Sequence, residues 1–175
     1  NFTIYLALGS MPLAFTYPLM KRYTYWPQLF LGITFNYGLM LGWTSITNEI
    51  NLLPMIFYFG AIFWTLGFDT IYGFQDINDD EIIGLKSTSI KFKENSKLFI
   101  TLCYSIFLLS LIFLGVKMNS NFLYYVFILI AGFHLFFFQI YRLKINSSFD
   151  CLKIFKSNNI LGAIIFLGLI SSKIN

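Results

Sequence analysis

Asp69, Asp76, Asp79 and Asp80 crowd into one short stretch of a chain with only eight acidic residues, six of them between Asp69 and Glu94. The run reads Asp69-Thr-Ile-Tyr72-Gly-Phe-Gln75-Asp76-Ile-Asn-Asp79-Asp80-Glu81, set between strongly apolar stretches. Carboxylates packed this closely repel and resist ionisation unless a cation joins them. Mg²⁺ suits such a set, since it prefers oxygen ligands, keeps several waters, and is commonly shared between one or two carboxylates and substrate phosphates. The run therefore points to a divalent metal and, through it, to a phosphorylated ligand.

Register sharpens that expectation. If the apolar helix before Tyr72 continues toward Asp80, Asp69 and Asp76 stand seven residues apart and nearly eclipsed. Tyr72 falls between them, and Asp76 and Asp80 form an i,i+4 pair. One face then carries Asp69, Tyr72, Asp76 and Asp79 or Asp80. Asp79, Asp80 and Glu81 also read as an ordinary solvated loop. Asp69 does not, because an ionisable group within a membrane-length apolar run is a functional candidate by default.

Two flanking segments add cations. Lys86, Ser87 and Thr88 can offer a charge and hydroxyls to an anion, or can simply form a polar turn. Lys21 and Arg22 stand among Tyr17, Tyr23, Tyr25 and Trp26, the pattern of an interfacial aromatic belt with snorkelling cations. Facing a carboxylate–metal site, the same pair becomes a candidate diphosphate clamp, with Arg22 able to bind bidentately.

The elements that must position these groups are membrane helices. Apolar residues make up 57% of the 175, and charged ones 11%, against about 25% charged in ordinary soluble domains. Six continuous apolar stretches run approximately Phe2–Met20, Pro27–Thr47, Leu52–Tyr72, Leu98–Val116, Phe122–Tyr141 and Asn159–Ile174. Most approach the roughly 20 residues that a helix needs to cross the hydrocarbon core. Pro12 and Pro18 predict a kink or early end in the first. Lys and Arg alternate across the connections, ten against two, which puts the Lys21, Asp76 and Lys153 connections on the cytoplasmic or matrix side. The Asn48–Asn51 and Lys117–Asn121 turns and the C-terminal tail with Lys173 face the other way.

The net charge of +4 reads as topology, not as nucleic-acid binding. Cys103 and Cys151 share no metal spacing and, with His134 the single histidine, zinc has no ligand set. His134 reads as a packed or hydrogen-bonding residue. Residues 1–175 form one all-α transmembrane domain. The chain starts at Asn1 without an initiator Met or signal pattern, which suggests the C-terminal part of a longer protein.

Three segments resemble the UbiA prenyltransferase superfamily, most closely its 4-hydroxybenzoate polyprenyltransferase branch. They are Tyr17-Pro-Leu-Met-Lys-Arg-Tyr-Thr-Tyr-Trp-Pro-Gln-Leu-Phe-Leu-Gly32, the Asp69–Asp80 run with Gly84-Leu-Lys-Ser-Thr88, and Phe155-Lys-Ser-Asn-Asn-Ile-Leu-Gly162. The Asp69–Asp80 run is similar to the family's C-terminal aspartate-rich motif and is the most specific of the three. The resemblance implies an intramembrane all-α bundle of about nine helices, whose backbone groups are all satisfied internally. It implies Mg²⁺-dependent transfer of an isoprenoid from a polyprenyl diphosphate to 4-hydroxybenzoate, in ubiquinone biosynthesis. Asp69, Asp76 and Asp79 or Asp80 would hold the metal. Arg22 and Lys21 would grip the phosphates, with Tyr72 and Lys86 beside them. A bacterial inner membrane is the expected setting, with the mitochondrial one as the alternative. The family's first aspartate-rich motif has no counterpart upstream of Asp69, where Glu49 is the sole acid, as in a chain lacking the first few helices. Alternatives are a menaquinone, haem O or tocopherol type of the same superfamily, a membrane cation transporter, or an inactive fragment.

Overall fold

A computed structural model describes residues 2–172 of the chain. Lys173 and Ile174, the tail cation and the expected end of the last span, lie outside the described residues. Every regular element among the described residues is helical. Helix α1 (Phe2–Thr16) passes through a 3₁₀ turn (Tyr17–Leu19) into α2 (Met20–Tyr23). Then come α3 (Pro27–Thr47), α4 (Leu52–Gly73) and two short helices, α5 (Ile77–Ile83) and α6 (Thr88–Lys91). Helix α7 (Ser96–Lys117) precedes α8 (Phe122–Phe133), which runs on into a π-helical segment, His134–Ile140. Helices α9 (Ser148–Lys156) and α10 (Asn158–Ser171) follow.

Six helical stretches are long and apolar enough to cross a membrane: Phe2–Tyr23, Pro27–Thr47, Leu52–Gly73, Ser96–Lys117, Phe122–Ile140 and Ser148–Ser171. The chain is thus a multi-pass integral membrane protein. Local chemistry sets the ends. Asn51 and Asn121 cap α4 and α8, accepting from the Leu53 and Tyr124 amides at 3.2 and 3.1 Å. Asn48 ends α3 in the left-handed region at φ 57°, which Asn tolerates better than most residues. Pro12 is accommodated inside α1, and the α-helix gives way at the 3₁₀ turn holding Pro18.

Two expectations are corrected. The last span begins at Ser148, not Asn159, so Lys153 and Lys156 lie on a helix and not in a loop. Ser147 starts that helix by accepting from the Asp150 amide at 3.3 Å, and one face then buries Cys151 and Ile154. The helix before Tyr72 does not continue to Asp80 either. It stops at Gly73, and a turn leads into α5. Gly73 lies so close to Ser89 that a side chain would collide with it, and the turn lets Phe74 and Ile77 both enter the core.

Helix α4 is the centre of the bundle. It packs on α3 and α7 along its length and on α9 near its end, while α10 pairs with α8. Helix α1 rests on α3 and buries no residue of its own. The core runs from Ile71 and Phe74 through Ile100, Tyr104, Phe107 and Leu111 to Tyr124, Ile128, Leu135 and Leu161. Large side chains such as Leu129, Phe133, Phe137 and Phe166 face outward. That inversion suits a lipid solvent, where apolar exposure carries no penalty and close packing drives association.

The three basic connections meet at one end. The Lys86 amide donates to the Lys21 carbonyl at 2.8 Å, and the Ser148 hydroxyl donates to the Gln75 carbonyl at 3.2 Å. At the opposite end the Asn121 amide donates to the Ser171 carbonyl at 2.7 Å.

Glycines on α4 allow its neighbours to approach. Gly60 faces Ser110, and Gly67 lies flat against the Tyr104 ring. Tyr104 is fully buried and its hydroxyl is engaged by Gln139, so the ring has nowhere to go. Gly67→Val should therefore destabilise the bundle by about 1–3 kcal/mol through overpacking. Thermal unfolding in detergent measures it; an unchanged midpoint would contradict the close contact.

Candidate functional site

Asp69 stands four residues before the end of α4, in the membrane-spanning part of that helix. Its carboxylate has no hydrogen-bond or ion-pair partner among the described residues, and Lys21 acts on it only from beyond ion-pair distance. It opens instead onto a cavity of about 620 Å³ between α3, α4 and the α9–α10 junction. Leu31, Phe35, Trp64, Phe68, Phe155 and Gly162 supply apolar walls, and Asn36, Thr65, Lys156, Asn158 and Asn159 supply polar groups. An acid and a cation thus share a chamber whose apolar walls are largely aromatic, which suits an amphiphilic guest with a charged head.

The other acids lie apart from this chamber. Asp76 is exposed at the start of α5 and makes no side-chain cap bond there. Asp79 is exposed in the first turn of α5. Asp80 is buried at 6% exposure and pairs with Lys21, Nζ to Oδ2 at 3.3 Å. Glu81 pairs with Lys93 at 2.9 Å on the surface. The break after Gly73 is what separates Asp69 from the rest: the single acidic face expected on one straight helix is divided between two elements.

Among the described residues, no three His, Cys, Asp or Glu side chains gather as a metal cage. Mg²⁺ does not require one, because one or two carboxylates, waters and substrate phosphates complete its shell. The unpartnered Asp69 carboxylate at a roomy, partly polar cavity fits that demand; so do the solvent-facing Asp76 and Asp79 as oxygen donors.

The expected cations sit at the same end of the bundle. Lys21 bridges α2 to α5 through Asp80. Arg22 is exposed beside it. Lys86 donates to the Tyr23 carbonyl at 3.4 Å and lies over the Tyr25 ring at 5.7 Å. Tyr72 faces outward at 39% exposure, its ring 4.7 Å from that of Phe155. Trp26 takes Lys91 over its face at 4.5 Å, as an interfacial belt residue does.

Ser87 and Thr88, candidate hydroxyls for an anion, are instead consumed by the fold. Ser87 caps α6, accepting from the Ile90 amide at 3.2 Å. The Thr88 hydroxyl shares a 2.6 Å hydrogen bond with that of Thr70, and the Ser89 hydroxyl donates to the Thr70 carbonyl at 2.8 Å. The Thr88 amide donates to the buried Gln28 side chain at 3.0 Å. This network pins the α5–α6 segment to α3 and α4, and so fixes where the acidic helix sits.

Sequence reasoning misses Asn36, Trp64, Lys156, Asn158 and Asn159. Lys156 reads there as a topology charge. Asn36 and the Asn158–Asn159 pair are polar groups inside or bordering apolar runs, and Lys156, Asn158 and Asn159 also fall in the Phe155–Gly162 segment that carries part of the resemblance. Asn36 is anchored by its Nδ2, which donates to Thr65 Oγ1 at 2.7 Å and to the Gly32 and Ala61 carbonyls at 2.8 and 3.2 Å. His134 is a packed, hydrogen-bonding residue as expected, 3.2 Å from the Ser157 hydroxyl and stacked on Phe138.

Comparison with known proteins places the chain among membrane transferases. The profile described as the UbiA prenyltransferase family matches residues 1–165. A protein of Bos taurus named 4-hydroxybenzoate polyprenyltransferase, mitochondrial, is 45% identical over 172 residues, 97% of this chain and 46% of its own length. The protein of the same name from Homo sapiens is also 45% identical, with the same coverage. The Arabidopsis thaliana protein of that name is 40% identical over 173 residues, 97% of this chain and 42% of its own. The chain thus spans about half the length of the curated relatives it matches. No solved structure matches it significantly.

The Gln28–Thr88 contact makes a local prediction. Gln28→Ala strands a buried amide donor, which should cost about 1–3 kcal/mol. Hydrogen exchange at the Thr88 amide should rise sharply while the far-end amides near Asn121 stay protected. Uniform loss of protection, or none, would mean that Gln28 does not hold the segment.

Proposed function

The chain belongs to the UbiA prenyltransferase family, and from that premise we propose that it forms the diphosphate- and isoprenoid-binding part of a 4-hydroxybenzoate polyprenyltransferase acting in ubiquinone synthesis. The observation that carries the reading is the Asp69 cavity: an unpartnered carboxylate within a membrane-spanning helix, with Lys156 nearby and aromatic walls around both. A polyprenyl diphosphate has the matching form, a multiply charged head on a long apolar tail. The names of the curated relatives support 4-hydroxybenzoate as acceptor. They also support a mitochondrial membrane over the bacterial inner membrane expected from the sequence.

The residues divide the work by chemistry. Asp69 would hold Mg²⁺ at the cavity, with the solvent-facing Asp76 and Asp79 as further oxygen donors at the same end of the bundle, and the ion would offset the charge that builds on a departing diphosphate. Lys156 at the cavity, and Lys21 and Arg22 at the same end of the bundle, would bind phosphate oxygens directly. In this structure Lys21 and Asp80 neutralise each other, so a diphosphate that recruits Lys21 must break or share that pair. The aromatic walls exclude water from the allylic carbon as its bond to oxygen breaks. Trp64, Phe68 and Phe155 present ring surface to the cationic fragment. The acceptor ring then forms its new carbon–carbon bond ortho to the hydroxyl and releases a proton.

The test joins this chain behind the N-terminal half of a curated relative and assays prenylation in membranes. Asp69→Asn should lower kcat by on the order of 10²–10³-fold, the scale of losing one preorganised charge contact, with membrane insertion unchanged. Chelating divalent cations should abolish turnover, and Mg²⁺ should restore it. Lys156→Met should raise KM for the prenyl diphosphate and leave KM for 4-hydroxybenzoate alone. Near-normal kcat in Asp69→Asn, or an effect of Lys156→Met confined to the aromatic acceptor, would overturn the reading.

A further inference from the structure

Beneath the Asp69 cavity runs a chain of buried side-chain hydrogen bonds that crosses four elements. Tyr104 of α7 donates its hydroxyl to Gln139 Oε1 at 2.5 Å. Gln139 Nε2, in the π-helical segment, donates to Asn158 Oδ1 at 3.1 Å. Trp64 Nε1 of α4 donates to the same Asn158 oxygen at 2.8 Å. Asn158 Nδ2 turns back to the Phe155 carbonyl at 3.0 Å. Tyr104 and Gln139 are fully buried, and Asn158 is 9% exposed. The chain ends at Trp64, which lines the cavity.

Two features make this more than a satisfied core. Gln139 reaches its partners from a π-helical segment, a rare conformation frequently found at functional sites. Trp64 is fixed on several sides: it stacks on Phe107 at 5.2 Å and 9°, meets Phe68 edge-on at 5.8 Å, and lies opposite Gly162. Buried networks of this kind rigidify what they hold when every member is satisfied.

We infer that Tyr104, Gln139 and Asn158 are positioning residues that set the Trp64 ring as the wall against which the isoprenoid tail of the substrate lies. Tyr104 and Gln139 do not line the cavity and act only through the indole; Asn158, which lines it, is the link between them. The inference rests on reading the cavity as the isoprenoid's site. It adds a division of labour: the charged head depends on Asp69 and Lys156, while the seating of the tail depends on a hydrogen-bond chain rooted in α7 and the π-helical segment.

The test uses the whole chain in phosphatidylcholine nanodiscs, with Trp26→Phe and Trp43→Phe leaving Trp64 as the sole indole. The probe is a prenyl diphosphate bearing a nitroxide on its tail, which quenches nearby tryptophan emission. In this parent the probe should quench Trp64, and inorganic diphosphate should displace it. Gln139→Met keeps the length of the side chain but removes both hydrogen bonds. It should weaken probe binding roughly tenfold, the scale of losing hydrogen bonds in a buried site, and lower the Trp64 anisotropy. The inhibition constant of inorganic diphosphate should stay unchanged, which a general loss of structure would not allow. Tyr104→Phe, which removes one hydroxyl, should act in the same direction and carries the test if Gln139→Met does not fold. Equal probe affinity and anisotropy in the variants would overturn the positioning role alone. Absence of quenching in the parent would instead overturn the isoprenoid reading of the cavity, and this inference with it.

Discussion

A carboxylate inside a membrane-spanning helix is sustained only where water, a cation or a hydrogen-bond donor answers it. Asp69 has no such protein partner among the described residues and opens onto a cavity instead. The rest of the architecture can be understood as what makes that arrangement tolerable. Helices α3, α4 and the α9–α10 junction leave a chamber between them. The bundle on the other side of α4 is packed closely, with Gly60 and Gly67 admitting Ser110 and Tyr104. Rigidity on one side and space on the other give a single helix both of its roles.

The same contrast governs the polar groups. Where the fold needs permanence, hydroxyls and amides are paired and buried, as Thr70, Ser87, Thr88, Ser89 and Gln28 are around the α5–α6 segment. Other charges at the same end of the bundle are left exposed, as Arg22, Asp76 and Asp79 are. Lys21 and Asp80 stand between these classes. Their ion pair ties α2 to α5, but with Lys21 43% exposed its contribution to stability is small, and a stronger anion can compete for it.

Much of the fold is legible in the sequence because the bilayer imposes so few solutions. Continuous apolar runs from Pro27 to Thr47 and from Leu52 onward can only be helices, and α3 has the expected bounds. The alternation of Lys and Arg identifies which connections share an end, and the contacts of Lys86 with Lys21 and of Ser148 with Gln75 agree. Other features are hidden because they depend on packing between distant segments. The turn after Gly73 follows from its contact with Ser89, which no local pattern announces. Lys156 and Asn158 are obscured by their surroundings, since a cation and polar residues beside a span look like topology signals. Trp64 is one aromatic in a chain with 22 phenylalanines, and only its hydrogen bond to Asn158 distinguishes it. The acids themselves are visible, but their grouping is not, because a helix assumed straight is in fact two.

The wide turns between His134 and Ile140 carry a consequence for how this protein can change over time. A π-helical segment holds a surplus residue relative to an α-helix of the same path. Losing one residue there would let the segment close into an ordinary α-helix on the same path, so Arg142 and Leu143 would keep their bearings and Leu143 its place in the core. What would be lost is the local offset that carries Gln139 to Tyr104 and Asn158. A deletion that elsewhere in a span would rotate all that follows by about 100° can therefore be absorbed in this stretch.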